Sequence, residues 1–312
     1  AFARQLRDMI ELAAVVTQGA LARDECRGAH YEPAFRIPIP EGKFAGDPEF
    51  EVYRDRWHAN NAQWLKTTIA EHTEDGPRLS YREVDLRPGP VPGSYLWEGP
   101  KTDFPALGLQ PQNPASLFAA KLLEARPGER VLDLCGGAGL KAFYLAAQGA
   151  EVVSYDLNPR RQEAGARTAR RLGLWVHYRT QDLTRPVPER AKKVLLDAPC
   201  TGTGTFRAHP ELRYRLSPED PARMAALQLQ LLETAAQATE EGGVLVYSVC
   251  TLTEEEGEGV VRAFLARHPE FRPEPVQPPF PVLARGLGVY VDPRGGLDGF
   301  YYAKLRKVNS QA

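Results

Sequence analysis

Short apolar runs alternate with helical patterns between residues 113 and 249, and this alternation constrains the fold more than any other feature of the chain. Strands are predicted at residues 130–134, 151–155, 175–179, 194–196 and 244–248. Helices are predicted at residues 113–124, 159–172 and 221–240, and another ends at Gln148. Repeated strand–helix units favour parallel strands with helices on both faces. The sequence therefore predicts an α/β, Rossmann-like fold with a mostly parallel, doubly wound sheet.

Acidic residues accompany the first four predicted strands, at the edge where open α/β sheets bind ligands. They are Asp133, Asp156, Asp182 and Asp197. A glycine-rich turn follows the first strand and reads Cys135-Gly136-Gly137-Ala138-Gly139-Leu140-Lys141. Such a turn lets a cofactor approach the backbone, and an acid after the second strand can accept from ribose hydroxyls. The turn lacks GxGxxG, so the pattern favours S-adenosylmethionine (SAM) over a dinucleotide; acids that only cap strand ends are the alternative.

Residues 192–204 place two reactive side chains directly after a buried strand. The apolar run Val194–Leu196 leads into Asp197, and Pro199 then stops the strand. Cys200 follows, and the glycines after it permit tight turns or the close approach of a ligand. A carboxylate and a thiol on rigid backbone form a reactive arrangement. A strand, an Asp turn and an unreactive loop cysteine are the structural alternative.

Cysteine usage and charge narrow the class of protein. None of Cys26, Cys135, Cys200 and Cys250 has CxxC spacing, which indicates neither a zinc site nor a disulfide framework. Reduced thiols in a cytoplasmic protein are therefore expected, without a metal. The net charge of −1 disfavours wholesale electrostatic binding to nucleic acid but leaves room for local basic patches. No run of 18 apolar residues and no signal peptide are evident, so no membrane partner is expected.

Residues 1–88 form a mainly helical segment, with predicted helices at 2–22 and 50–64 and a strand at 65–69. This segment resembles the C-terminal end of the succinate dehydrogenase/fumarate reductase flavoprotein subunit. The resemblance rests on residues 9–13, 19–23, 27–31, 64–70 and 80–85. It implies neither FAD binding nor dehydrogenase activity, because that family binds flavin and dicarboxylate through residues upstream of this region; His30 is expected to be structural. A linker rich in Pro and Gly at 89–112 separates this segment from the second domain, residues 113–312.

Motifs of the second domain resemble RNA cytosine-C5 methyltransferases of the bacterial 16S rRNA methyltransferase B type. The resemblance covers roughly residues 93–312 and rests on residues 131–135 with Lys141, 197–204, 209–211, 247–252 and 298–300. Three elements depart from the usual pattern. The family turn Cys-Ala-Ala-Pro-Gly-Gly-Lys is Cys-Gly-Gly-Ala-Gly-Leu-Lys here, Thr-Cys is Val249-Cys250, and Glu-Asn-Glu is Glu256-Gly257-Glu258.

The resemblance implies a SAM-dependent methyltransferase fold and methylation of cytosine carbon 5 in RNA, with rRNA expected and tRNA as an alternative. Carbon 5 is a poor nucleophile until a thiolate adds to carbon 6. By resemblance Cys250 is that nucleophile, Asp197 holds the ring at N3, and Cys200 assists product release. Residues 135–141, Asp156, Asp182 and Asp197 are expected to bind SAM. A chain that binds RNA without catalysis, or one derived from a flavoprotein, is the remaining alternative.

Three groups of cations are candidates for contacts with RNA phosphates. The first lies on one predicted helix, the second follows the Asp197 motif, and the third comes late in the chain. Their members are Arg160, Arg161, Arg167, Arg170 and Arg171; Arg207, His209, Arg213 and Arg215; and Lys304, Arg306 and Lys307. We favour the second group, because it adjoins the predicted active site, whereas a solvated helix face explains the first group equally well.

Overall fold

The computed structural model describes most of residues 110–308 and parts of the chain before them. The described residues are 47–64, 66–73, 75–83, 87–89, 91, 95–96, 110–295 and 297–308, with isolated positions between 10 and 40. Those described between 10 and 21 are helical, which agrees with the first predicted helix; its beginning and His30 lie outside the described residues. No helix in the described ranges has both the length and the apolar character needed to cross a bilayer.

The segment before the linker is less helical than predicted. Helix α1 (Pro48–Trp64) is followed by an antiparallel hairpin of β1 (Lys66–Thr73) and β2 (Gly76–Glu83). The predicted strand at 65–69 is only the beginning of this hairpin. The signal for the rest was Asp75-Gly76, a typical hairpin turn dipeptide, and Gly76 has a φ of +108°. A short pair of β3 (Arg87–Pro88) and β4 (Tyr95–Leu96) lies at the beginning of the linker region.

Residues 113–249 begin with helix α2 and contain the expected alternation of strands and helices. Asn113 caps α2 by accepting from the Ala115 N–H at 2.9 Å, and Pro114 occupies the first turn. The elements up to the antiparallel region are α2 (Pro114–Lys121), β5 (Arg130–Leu134), α3 (Leu140–Ala147), β6 (Glu151–Asp156), α4 (Pro159–Arg171), β7 (Val176–Thr180), β8 (Ala191–Asp197), α5 (Asp220–Ala238) and β9 (Thr239–Val249). The rest are α6 (Glu258–Arg267), β10 (Phe271–Glu274), β11 (Val282–Arg285), β12 (Val289–Val291) and β13 (Tyr301–Lys307).

These strands form one mixed sheet with the order β11-β12-β13-β9-β8-β5-β6-β7, and β10 also pairs with β13. Strands β5 to β9 run parallel, as predicted. Strand β13 pairs antiparallel with β9. Strands β10 and β12 pair antiparallel with β13, and β11 pairs antiparallel with β12. This antiparallel extension was not predicted from the sequence. It places β9, and therefore the chain leading to Cys250, inside the sheet rather than at its edge.

Two apolar clusters cover the two faces of the sheet. Alternate residues of the parallel strands, such as Leu132 and Val131, belong to opposite clusters. One cluster includes Leu232 of α5 and Phe264 of α6, and the other includes residues of α2 and α3. Burial of each such large apolar side chain contributes about 1.5–3 kcal/mol. This packing fixes the strand ends that carry the candidate site.

Candidate active site

The carboxyl ends of β5, β6, β8 and β9 bring three predicted groups together: the glycine-rich turn, the acids and two of the cysteines. Asp156 ends β6, and its carboxylate accepts from the Gly137 N–H at 2.9 Å and the Asn158 N–H at 2.8 Å. Gly137 has a φ of +60°, and nothing lies within 4 Å of the position that a Cβ atom would take. The acid after the second strand is therefore joined to an open glycine turn.

Asp133 lies beneath this turn rather than on its surface. The side chain is fully buried, and its Oδ2 accepts from Ser154 Oγ at 2.9 Å. Its Oδ1 has no hydrogen-bond partner among the described residues. Burial, and next to it the charge of Asp197, raises the pKa of Asp133 to about 7, although the Ser154 hydrogen bond opposes this shift. A Cβ atom on Gly136 would come within 2.2 Å of Asp133 Oδ2, so a glycine is required there.

Asp182 is exposed and is held by the turn that follows β7. Its Oδ1 accepts from the Thr184 N–H at 2.9 Å and from Thr184 Oγ at 2.8 Å. The first of these bonds is the main cause of its lowered pKa. The geometry leaves Oδ2 available to a ligand, but the bonds present are those of a turn. Its assignment to a cofactor stays a prediction.

Asp197 is joined to Lys141, which the sequence placed in the glycine turn. Lys141 Nζ lies 2.6 Å from Asp197 Oδ2 and 2.8 Å from Ser116 Oγ, and the lysine is 7% exposed. Asp197 Oδ1 accepts from Ser248 Oγ at 3.1 Å. Lys141 thus lies at the carboxylate beside the thiols. Ser116, the partner of Lys141, comes from α2, and Ser248, the partner of Asp197, comes from β9, so local sequence could not show these pairings.

Cys200 and Cys250 face each other, with 3.3 Å between their Sγ atoms. The hydrogen bond from Cys200 lowers the pKa of the Cys250 thiol, against the opposing effects of burial and Asp197, and Lys141 lowers it further. The same hydrogen bond raises the pKa of Cys200, as do burial and the charges of Cys250 and Glu256. The pair therefore favours a thiolate on Cys250 and a proton on Cys200. A thiolate is the nucleophilic form of cysteine.

Cys135 differs from this pair in both position and surroundings. It packs against the apolar cluster, and burial, with Asp156 next, raises its pKa far above that of a free thiol. Its φ of +60° places a residue other than glycine in the left-handed region, at the point where β5 enters the turn. The thiol is therefore held protonated.

Sequence reasoning missed a buried polar cluster behind the thiol pair. We call Glu256, Thr201, Thr251, Thr253 and Gln228 the Glu256 cluster. Thr201 directly follows Cys200, and Thr251 directly follows Cys250. Glu256 is fully buried and accepts from side chains of all four other members. The sequence signals were Glu256 in the family element Glu-Asn-Glu and a threonine after each cysteine, and neither shows a cluster until the fold brings the two loops together.

Gly204 joins three separate parts of the chain beside the thiols. Its N–H donates to Cys250 O at 3.1 Å, and its carbonyl accepts from the Gly299 N–H at 2.8 Å. A Cβ atom on Gly204 would lie 2.0 Å from Gly299 O, so that no larger residue fits. The Gly204 clamp therefore fixes the loop after Cys200 against the residues that lead into β13.

The three predicted groups of cations are placed differently. Around the loop after Gly204, Arg207, Arg213 and Arg215 are exposed, and Tyr214 between two of them is 92% exposed. Most of the arginines of α4, the helix next to the glycine turn, are exposed. The late group is structural, which corrects the prediction. Lys304 is buried beside Glu124 and Glu274, Arg306 pairs with Glu274, and Lys307 donates to two backbone carbonyls.

A parallel sheet with this strand order, this glycine turn and this antiparallel extension has the Rossmann-like fold of SAM-dependent methyltransferases. The solved structure of NSun6 from Pyrococcus horikoshii with SFG has the same fold, with a TM-score of 0.58 and 29% identity over 64% of this chain and 53% of that one. The 16S rRNA methyltransferase RsmB/F model matches residues 120–306, and the chain belongs to this family. Residues 1–95 match the model of the fumarate reductase flavoprotein C-terminal region.

Two curated relatives show how much of a family protein is present. The ribosomal RNA small subunit methyltransferase B of Thermus thermophilus is 98% identical over 233 residues, which cover 75% of this chain and 58% of the relative. The probable ribosomal RNA small subunit methyltransferase B of Bacillus subtilis is 30% identical over 279 residues, which cover 83% of this chain and 60% of the relative. The chain thus spans less than two thirds of the length of these relatives.

Proposed function

We propose that this chain methylates carbon 5 of cytosine in RNA, with rRNA as the substrate and SAM as the methyl donor. The observation that carries the proposal is the pair of thiols 3.3 Å apart, one of them favoured as a thiolate, beside the carboxylate of Asp197. Family membership and the names of the relatives support the reaction and the kind of RNA. The chemistry needs both cysteines reduced, which supports the cytoplasm as its compartment.

The residues at the sheet edge fit SAM. The unpartnered, buried Oδ1 of Asp133 and the open space at Gly137 are features that a ligand in the turn would use. Residues 135–141, Asp156 and Asp182 would hold it, with Asp156 accepting from ribose hydroxyls. When bound, SAM supplies the methyl group that carbon 5 takes.

The side chains of this chain account for the remaining chemistry. The thiolate of Cys250 adds to carbon 6 of the cytosine, which makes carbon 5 nucleophilic. Asp197, held by Lys141 and Ser248, contacts the ring at N3, where a proton delivered through its carboxyl group neutralises the negative charge that the addition develops. A water molecule then takes the proton of carbon 5, the electron pair left behind forms the double bond between carbons 5 and 6, and the bond from carbon 6 to sulfur breaks. Cys200 assists by donating a hydrogen bond to the departing Cys250 thiolate.

The loop of residues 203–215 is the surface that we assign to RNA. Arg207, Arg213 and Arg215 offer exposed positive charge in the loop that follows Cys200, and cations of this kind bind phosphates. Exposed Tyr214 offers a ring on which a base can stack. Leu212 reaches within 3.1 Å of the position that a Cβ atom on Gly202 would take, which anchors the loop two residues after Cys200.

The reaction is tested with the full chain, SAM carrying a labelled methyl group, and either 16S rRNA or tRNA. We expect label in rRNA, with the site located by bisulfite sequencing of RNA from cells with and without the gene. Label in tRNA alone would show that tRNA, and not rRNA, is the substrate. No label in either RNA, with RNA binding intact, would favour a chain that binds RNA without catalysis.

Replacement of Asp156 by alanine should weaken SAM binding about tenfold or more, because it removes the carboxylate that orders the turn and accepts from the ribose. The measurement is calorimetric titration of SAM into the folded variant. Asp182→Ala is the matched comparison at the neighbouring strand and should have a smaller effect, since Asp182 is exposed. If Asp156→Ala and the unaltered chain bind SAM with equal affinity, Asp156 is not part of the SAM site.

A truncated chain that begins at Pro90 should keep its affinity for SAM, because none of the proposed site residues precedes it. This boundary retains Val91, which is fully buried in the cluster of α2 and α3. The truncation removes the hydrogen bond from Tyr53 Oη to Gly173 O, 2.8 Å, which contributes about 1 kcal/mol. We therefore expect a slightly lower melting temperature with unchanged calorimetric affinity. Loss of SAM binding in a folded truncation would show that residues 1–89 complete the site.

A further inference from the structure

Glu256 occupies an unusual position for a carboxylate that touches neither proposed ligand. It is fully buried, six residues after Cys250, and its Oε2 accepts from the Thr201 N–H at 2.8 Å and Gln228 Nε2 at 3.0 Å. Its Oε1 accepts from Thr251 Oγ and Thr253 Oγ, both at 3.0 Å, and from Thr201 Oγ. Burying a charge is costly unless donors surround it, and here they do.

The donors come from both loops that carry the thiols. Thr201 belongs to the loop of Cys200, whereas Thr251 and Thr253 belong to the loop of Cys250. Gln228 of α5 adds a third tie, because its Nε2 also donates to Pro199 O at 2.9 Å. The two cysteines are each one residue from a threonine that is bonded to the same carboxylate. This single carboxylate therefore ties the two loops behind the thiols, in addition to the bonds that Thr203 and Gly204 make to the Cys250 loop.

We propose that Glu256 is a positioning residue that holds the loops of Cys200 and Cys250 together, so that the two thiols stay within hydrogen-bond distance. The inference rests on the proposed function, in which these thiols act in turn. Without the tie, Cys250 would lose the hydrogen bond from Cys200 that stabilises its thiolate. Asp197 and burial would then oppose ionisation, leaving only the more distant Lys141 and the backbone of Cys250 itself to favour it.

The test is the rate at which iodoacetamide alkylates Cys250 between pH 6 and pH 10, in the absence of RNA and SAM. Mass spectrometry of the peptide that contains Cys250 follows the reaction. In Glu256→Ala we expect alkylation at pH 7 to slow about tenfold or more, since each unit of pKa changes the thiolate fraction about tenfold. Cys135, whose thiol is held protonated, should stay unalkylated in the same sample, and its alkylation would report unfolding. Glu256→Gln should stay within about threefold of the unaltered chain, because the hydroxyl groups can accept from its amide while its oxygen keeps the N–H donors.

Glu258→Ala is the matched control, two residues away. Glu258 is also tied to other loops, by the Leu287 N–H and Tyr301 Oη, both at 2.9 Å, but it bonds to neither thiol loop. Its alkylation profile should match that of the unaltered chain. Three results would each overturn the proposal. Alkylation could slow equally in Glu258→Ala, it could stay unchanged in Glu256→Ala, or it could slow as much in Glu256→Gln as in Glu256→Ala.

A milder variant covers the case in which Glu256→Ala does not fold. Thr201→Val removes one hydroxyl donor and keeps the shape of the side chain, so alkylation of Cys250 should slow about threefold in a folded protein. No slowing would count against the tie. Because these assays need no methylation, an unaltered chain that fails to methylate RNA would overturn the proposed function and leave this measurement valid. If methylation occurs, Glu256→Ala should lower kcat and leave SAM affinity unchanged.

Discussion

Replacement of Cys250 by alanine should abolish methylation of RNA while leaving the affinity for SAM within about twofold. The Cys250 side chain lies at the thiol pair and not at the glycine turn. The substitution therefore removes the nucleophile without removing a cofactor contact. Loss of a covalent nucleophile costs several orders of magnitude in rate. The measurements are transfer of labelled methyl groups to 16S rRNA and calorimetric binding of SAM.

Glu258→Ala is the control for this variant. Its carboxylate accepts from the Leu287 N–H and Tyr301 Oη and belongs to neither the thiol pair nor the glycine turn, so the variant should retain methyl transfer once folded. Activity of Cys250→Ala above one tenth of that of the unaltered chain would exclude Cys250 as the nucleophile. A fall in SAM affinity that matches the fall in rate would instead indicate a disturbed cofactor site.

Replacement of Cys200 by alanine should give a different result, in which the chain stalls on its substrate. Cys250 can still attack carbon 6, but the residue that assists its departure is absent. The protein should then remain covalently joined to RNA and run as a slow band on a denaturing gel, in the presence of SAM. Turnover should fall at least about a hundredfold, as expected for loss of an acid–base group.

The double variant Cys200→Ala/Cys250→Ala is the control and should give no slow band. An adduct in Cys250→Ala but not in Cys200→Ala would reverse the two roles. Partial and equal losses in both variants, with no adduct in either, would indicate that the cysteines are structural. Removal of Cys200 also removes the hydrogen bond that lowers the pKa of Cys250, so formation of the adduct in Cys200→Ala should be faster at higher pH.

The parallel half of the fold could be predicted because each of its strands is a local apolar run bounded by turn residues. The antiparallel half could not. Strand β13 contains Lys304, whose burial depends on Glu124 and Glu274 far away in the sequence, and its charges therefore suggested a surface. The hairpin of β1 and β2 was missed because its strands are rich in polar residues, although Asp75-Gly76 was a usable signal.

The site could be predicted in its parts and not in its connections. The motifs named Asp197, Cys200 and Cys250, and the structure places them together. Pairing of Lys141 with Asp197 and of Glu256 with the Cys200 loop depends on contacts between residues more than 50 positions apart, which spacing alone cannot show. The family pattern placed Lys141 in the turn but did not show that it reaches across to Asp197.

The Gly204 clamp also bears on when the protein becomes competent during its synthesis. Gly299 and β13 are made about a hundred residues after Cys200, and such long-range pairings are formed late in folding. A nascent chain that has emerged from the ribosome only as far as Cys250 already carries both cysteines, but it lacks β13, which pairs with β9, and Gly299, which holds Gly204. Order of synthesis thus delays assembly of the reactive thiol pair until the C-terminal strand has been released.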